Sequence, residues 1–284
     1  MVLPNFYILG AQKCGTSWLT SMLSQHPEIF ISRRKELHYF NRTENYERGR
    51  EWYERHFRDC GSAIAIGEAT PNYLAVTSTG ESAKIIERIL ALTPDARFIV
   101  SLRNPVTRAV SALLHHIREG RLSPWVSLDA EFDLIFSRRH SYPDVLEFGC
   151  YNKQIRSFLR HFPVDRFAFI IYEHDILDNK HRTLRRVCQF LGVRTDFEFR
   201  RIDVLRNPTM RTRMGLVLSQ LPPRKIGKRL GWWAERLGLG KELSISNNTL
   251  QRLYQYYESD RAELSVLIVQ DLDIWQEGVK FIVT

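Results

Sequence analysis

The chain has 284 residues, enough for one large α/β domain with a substantial core. Its 41 lysines and arginines exceed its 32 aspartates and glutamates, and the resulting charge of +9 favours anionic partners. The arginines are dispersed and no zinc-finger or RNP aromatic pattern occurs, so a nucleic-acid partner is not indicated; no apolar run approaches the ~20 residues of a membrane span.

The chain opens with an apolar run, Phe6 to Leu9, of strand length, led in by Pro4. MVLPNFYIL has neither the basic start nor the long apolar stretch of a secretory signal, which leads to the expectation of a cytoplasmic protein. Cys14, Cys60, Cys150 and Cys188 include no CxxC pair and no histidine at ligand spacing, so no metal site is expected and a reducing compartment suits them. Gly10 to Gly15 forms a tight polar turn holding Lys13. From Thr16 the pattern turns helical, with Trp18, Leu19, Met22 and Leu23 on one face. Strand, glycine-bounded loop and helix aim free backbone N–H groups and the positive helix end at an anion, and Thr16, Ser17 and Lys13 add hydroxyls and a charge. A nucleotide P-loop would place lysine directly after the second glycine; here Thr16 stands there, and the lysine lies two residues before Gly15.

His26-Pro27 ends that helix. In the following RRKELHYFN, Glu36 and His38 would share one face of an extended segment, where a carboxylate beside an imidazole could deprotonate an acceptor hydroxyl. Trp52, Tyr53 and Phe57 are expected to pack. Ala63 to Gly67 reads as a buried strand running into GEATPNYL, with Glu68 and Tyr73 as cleft or structural residues. Ser82 to Leu92 reads as a helix and Ala96 to Leu102 as a further strand, paired parallel through a right-handed crossover. Arg103-Asn104-Pro105 then starts a helix with Pro105 in its first turn and Ser111 eight residues after Arg103. An arginine at a strand end and a serine on the next helix suit a phosphate, with Arg108 in support.

These segments carry a family resemblance. GxxKxGTSW after a strand resembles the 5′-phosphosulfate loop of sulfotransferases that use 3′-phosphoadenosine 5′-phosphosulfate (PAPS). R-[DN]-P-x-x-R-x-x-S resembles the 3′-phosphate motif of the same superfamily, and KE-x-H-[YF]-F resembles the segment with the catalytic glutamate in glycan sulfotransferases of the heparan sulfate type. GEATPNYL is similar to their E-K-[ST]-x-x-Y-[FL], but Ala69 stands where they have lysine. The later series, with Gly149, Tyr151, the strand Phe167 to Tyr172 and the helix Leu184 to Leu191 ending at Gly192, extends the resemblance over residues 5–195.

The resemblance implies an α/β sulfotransferase fold, a central parallel sheet flanked by helices in one domain spanning 1–284, with its core at 5–195 and a helical, basic region at 196–284. It implies sulfonate transfer from PAPS, without a metal, to an acceptor hydroxyl or amine, with carbohydrate or another alcohol favoured. Glu36 would be the base, His38 would orient it or the acceptor, and Lys13 would stabilise the departing phosphate. Around the cofactor it implies Lys13, Cys14, Gly15, Thr16, Ser17 and Trp18 at the 5′ end, Arg103 and Ser111 at the 3′-phosphate, Tyr151 nearby, and Arg211 (with Arg206 and Arg213 as the other candidates) in a basic loop closing over the nucleotide. A luminal domain freed from a Golgi-type anchor would look the same as a cytoplasmic enzyme. The rivals are a nucleotide-dependent kinase, which would require Mg²⁺, and a non-catalytic binder of anionic polymers. Residues 118–142 read as a basic, loop-rich insertion. PPRKIGKRLGWW reads as a surface helix pair, with a lid, an acceptor surface or a peripheral membrane contact as alternatives. Leu250 to Leu272 reads as an amphipathic helix that packs on the sheet.

Overall fold

A computed structural model describes residues 2–75, 81–204 and 209–276. Five parallel strands form one sheet in the order β2-β3-β1-β4-β5: β1 Phe6–Gly10, β2 Ile29–Ile31, β3 Ala65–Ala69, β4 Arg97–Leu102 and β5 Phe167–Ile171. The strands are short, apolar and covered by helices on both faces, as parallel sheets require. β1 is buried along its whole length between β3 and β4. The chain leaves β1 towards β2 on one side and later crosses to β4 on the other, so a crevice opens above the carboxyl end of β1.

The principal helices are α1 Thr16–Leu23, α2 Glu81–Leu92, α3 Pro105–Arg118, α4 Leu128–Phe136, α5 Tyr151–Leu159, α6 Lys180–Leu191, α7 Arg213–Ser219, α8 Arg224–Arg236 and α9 Asn247–Ile268. On one face of the sheet, Trp18, Leu19, Met22 and Leu23 of α1 pack with Leu184, Val187 and Leu191 of α6 against Phe6, Ile8, Ile99 and Ile170. On the other, Tyr7, Phe98 and Val100 meet the aromatic segment of Tyr39, Phe40, Tyr53 and Phe57, together with Ile155 and Phe158 of α5. The expected packing of Tyr53 and Phe57 is therefore found.

Three readings from the sequence differ from the structure. The strands β3 and β4 do not pair with each other, because β1 lies between them; residues 118–142 are loop-rich as read, and α4 starts within them, with Ser127 Oγ accepting from Ala130 N (3.5 Å) and Asp129 and Glu131 in its first turn, an N-terminus that suits the helix dipole. α9 packs on α5 and α3 rather than directly on the sheet, and its Tyr257 donates to Leu146 O (2.9 Å). The segment around Glu36 is not extended: Glu36 (φ 56°) and His38 (φ 53°) are both left-handed. It is held by neighbours instead of by a strand ladder. Glu36 N donates to Ala69 O (3.3 Å), and Tyr73 Oη accepts from Tyr39 N (2.9 Å) and Phe40 N (3.4 Å).

Near the other end of the crevice the chain's last described turn returns to the sheet. Asn104 caps α3 by accepting from Val106 N (2.9 Å) and Thr107 N (3.3 Å), while its amide donates to Trp275 O (3.0 Å). Glu173 accepts from Asn104 N (3.0 Å) and from the Trp275 indole (3.0 Å).

Candidate active site

A cleft of about 310 Å³ lies at the carboxyl end of β1, where the turns after β1, β3 and β4 converge. Its floor is the turn from Gly10 to Gly15. Gly15 sits at φ 83°, and an added Cβ would lie 2.8 Å from Ile176 Cδ1 and 2.9 Å from Tyr172 Cδ2, so both conformation and space demand glycine. No side chain caps α1, which leaves its first N–H groups available to a ligand beside Thr16 and Ser17. Lys13 lines the same wall. Burial, then the charges of Arg118 and Arg103, lower its pKa to about 8, which is the condition of a cation awaiting an anion. Gln12 also lines the cleft, and its Oε1 is buried without a partner among the described residues, a deficit that a bound ligand can fill.

Arg103 and Ser111 both line the cleft. Thr107 Oγ1 (2.8 Å) and Lys13 O (3.4 Å) orient the guanidinium, which lies 4.9 Å from the Tyr172 ring centroid. Ser111 Oγ stands 3.0 Å from Thr209 Oγ1, and both residues line the cleft. Arg108 is fully buried and donates to the carbonyls of Asp144 and Val145, a structural anchor between α3 and the turn before α5.

Glu36 lines the same cleft with Lys35. Lys35 Nζ donates to Ser17 Oγ (2.6 Å) and stands 3.5 Å from Glu36 Oε1, while His38 Nε2 lies 3.7 Å from Glu36 Oε2. The His38 contact, with help from Lys35, holds the Glu36 carboxyl below its ordinary value against the opposing effect of burial. His38 Nδ1 faces Asn41 Oδ1 at 3.2 Å, an oxygen that can only accept, so Nδ1 carries a proton.

Not every residue anticipated at the nucleotide lines the cleft with its side chain. The Cys14 side chain is in the core, 3.4 Å from Tyr151 Oη, and burial pushes its thiol up to about 11; it fills the space behind the loop and does not face the cleft. Tyr151 is equally buried and donates to Arg103 O (2.9 Å), bracing the arginine from behind. Trp18 borders the cleft while its indole donates to Ile202 O (2.9 Å). Arg211 is exposed and outside the cleft lining, with its backbone N–H bonded to Glu235 Oε1 (2.9 Å); Arg213 stacks on Trp125, and Arg206 is outside the described residues. Glu68 and Tyr73 are fully buried and structural: the carboxylate accepts from Tyr53, Thr70 (2.7 Å) and Tyr73 (2.6 Å).

The cleft also holds Lys35, His115, Arg118 and Thr209, none of which the sequence reading selected. His115 and Arg118 lie four and seven positions beyond Ser111 on α3, a helical spacing that could have found them. Arg118 Nη2 donates to His115 Nδ1 (3.0 Å); burial, then the charges of Lys13 and Arg118, drive the His115 pKa to about 3 and keep the imidazole neutral.

Residues 3–209 match the sulfotransferase domain family. The chain belongs to that family. Human heparan sulfate glucosamine 3-O-sulfotransferase 6 is 32% identical over 197 residues, 67% of this chain and 53% of that protein. The membrane-associated sulfotransferase kil1 of Dictyostelium discoideum is 33% identical over 150 residues, 52% of this chain and 30% of its own length. The chain thus spans about half, or less, of the curated relatives it matches. A crystallised sulfotransferase from Alicyclobacillus acidocaldarius aligns over 98% of this chain and 100% of its own, with a TM-score of 0.72 and 28% identity. In this member of the sulfotransferase domain family the sheet order and the strand-loop-helix at β1 are those of an α/β fold with a central parallel sheet, as the sequence suggested.

Proposed function

We propose that the chain is a PAPS-dependent sulfotransferase acting on a hydroxyl, or amine, of a carbohydrate or other alcohol, with Glu36 as general base. The observation that carries this reading is one cleft lined by two separate anion devices, the Lys13 loop with α1 and the Arg103–Ser111 pair, together with the Glu36 carboxylate, whose pKa is held low. PAPS, when bound, supplies a sulfonate on a phosphate leaving group, so the bond from sulfur to the acceptor forms as the bond to phosphate breaks.

The residues have distinct tasks. Lys13 and the first N–H groups of α1 hold the negative charge that grows on the 5′-phosphate side, fixed dipoles that need no reorganisation. Arg103, Ser111 and Thr209 grip the 3′-phosphate, which distinguishes this nucleotide from one lacking it. Glu36 takes the acceptor proton on a carboxylate oxygen, and His38, donating from Nε2 when protonated, fixes that oxygen and stabilises its charge. Lys35 bridges Ser17 and Glu36 and shares a shallow pocket with Ala69; it supplies a cation near the position where the heparan-type pattern has its lysine. The 3-O-sulfotransferase named above acts on heparan sulfate glucosamine, and that name, together with the Glu36 segment, favours a carbohydrate acceptor here.

The test is calorimetric titration with adenosine 3′,5′-bisphosphate beside ATP with and without Mg²⁺, followed by transfer of labelled sulfonate to a panel of glycans and simple alcohols. Metal-independent binding of the bisphosphate and labelled product are expected. Preference for Mg-ATP would overturn the reading in favour of a kinase.

A further inference from the structure

α8 is built the wrong way out for a helix of a soluble domain. Its inward face carries small residues, Gly227, Gly231 and Ala234, all buried. The approach is close enough that a Cβ on Gly231 would lie 2.4 Å from Gly215 O, and one on Gly227 2.3 Å from Leu221 O. The large apolar residues point away. Ile226, Leu230, Trp233 and Leu237 follow the spacing of one helical stripe and are 54%, 45%, 52% and 65% exposed. Isolated exposed apolar side chains are ordinary, whereas a contiguous stripe marks a binding surface.

The stripe has a basic flank. Lys225 and Arg229 have no ion pair among the described residues, and Arg236 lies against the Trp232 ring, 5.4 Å from its centroid. Glu235 is turned back to bond Arg211 N, Thr212 N and the Thr212 hydroxyl, so the one acidic residue of the helix is spent on the protein side. Arg224 and Lys228 tie the helix to Glu119, next to Arg118 at the lip of the cleft.

We propose that α8 docks this protein on an anionic lipid bilayer, its apolar stripe in the headgroup boundary and Lys225, Arg229 and Arg236 against the lipid phosphates. The residue pattern is that of an interfacial helix: apolar residues including tryptophan on one face, lysine and arginine beside them. The face is convex, one helix wide and about 20 Å long at 1.5 Å per residue. A second copy would bury roughly 200 Å² of it per partner, far below the ~800 Å² of a stable pair, whereas a bilayer needs no matching groove. Docking would bring the lip of the cleft to the lipid surface, since Glu119 fixes α8 beside it. The inference stands whether or not the nucleotide reading above is right.

Co-sedimentation of the full chain with vesicles of phosphatidylcholine, with and without phosphatidylglycerol, tests it. The protein is expected to pellet with the anionic vesicles only, to release as salt is raised, and to show a blue-shifted tryptophan emission. Leu230→Gln with Trp233→Ser should abolish pelleting while leaving the melting temperature and bisphosphate binding unchanged, because both side chains are exposed. Lys225→Gln and Arg229→Gln should each weaken it by about fivefold, the effect of one charge at such a surface. Failure to pellet, equal pelleting with neutral vesicles, or a concentration-dependent dimer that the Leu230/Trp233 variant dissolves would each overturn the proposal.

Discussion

Lys13 offers the sharpest test of the cleft's electrostatics. Its ammonium is poised near a pKa of about 8 because burial and the charges of Arg118 and Arg103 disfavour it. Phosphate groups placed beside it favour the charged form, so binding should raise that value and take up a proton. If binding requires the ammonium, the apparent Kd for adenosine 3′,5′-bisphosphate grows as one plus ten to the power (pH − 8). That is a factor of about 1.1 at pH 7 and about 11 at pH 9, a loss of about tenfold, or ~1.4 kcal/mol. The ligand's phosphates, with second pKa values near ~6, stay ionised throughout this range. Calorimetry in buffers of different ionisation enthalpy should register about half a proton taken up at pH 8 and little at pH 7. Lys13→Met should bind weakly with no pH dependence, and Lys13→Arg, charged throughout, should flatten the curve. A wild-type Kd constant from pH 7 to 9 with no proton uptake would refute the reasoning.

Other outcomes follow from the same geometry. Glu36→Gln should leave bisphosphate affinity unchanged and lower kcat by about 10²-fold or more; in the wild type the acid limb of kcat should fall below the ordinary glutamate value of 4.5, since His38 and Lys35 depress the Glu36 pKa and the carboxylate is the working form. A limb near ~6.5 would instead identify a histidine base. Arg103→Ala should erase the preference for adenosine 3′,5′-bisphosphate over adenosine 5′-phosphate, a change of about 10- to 100-fold in a competition titration, with a smaller change for Ser111→Ala. Tyr73→Phe removes the hydroxyl that joins Glu68 to Tyr39 N and Phe40 N. It should cost about 1–3 kcal/mol in denaturant unfolding and, by loosening the Glu36–His38 turn, lower kcat while KM for the nucleotide holds; equal losses in both would assign Tyr73 to stability alone.

The local signals in the sequence were those that depend on short-range chemistry. Gly15 had to be glycine, the apolar face of α1 had to be buried, and Pro105 after Asn104 had to start a helix; each is visible in a window of a few residues. The apolar runs that precede the Lys13 loop and Arg103, each followed by a helical pattern, make the α/β sheet legible in the sequence. What stayed hidden was long-range. Nothing in the alternation of Glu36, His38 and Phe40 announced two left-handed residues, because their conformation is imposed by Ala69 O and Tyr73 Oη from another segment. Cys14 fills the loop, as a small residue there is expected to, whereas the burial of Tyr151 behind Arg103 depends on the packing of distant segments. Lys35 was passed over although it stands next to Glu36, since only the fold brings Ser17 within reach of it.

The hydrogen bonds between Asn104, Glu173 and Trp275 set a lower bound on the folding unit. The family's domain model matches residues 3–209, yet the turn that aims Arg103 is fastened by an indole and a carbonyl from far beyond that point. A chain cut after Thr209 would keep each phosphate-gripping residue, but Glu173 and the Asn104 amide would lose the partners that Trp275 supplies. The matched domain and the cooperative folding unit therefore have different borders, and the turn at Asp273–Trp275 acts as a keystone for a phosphate grip written far earlier in the chain.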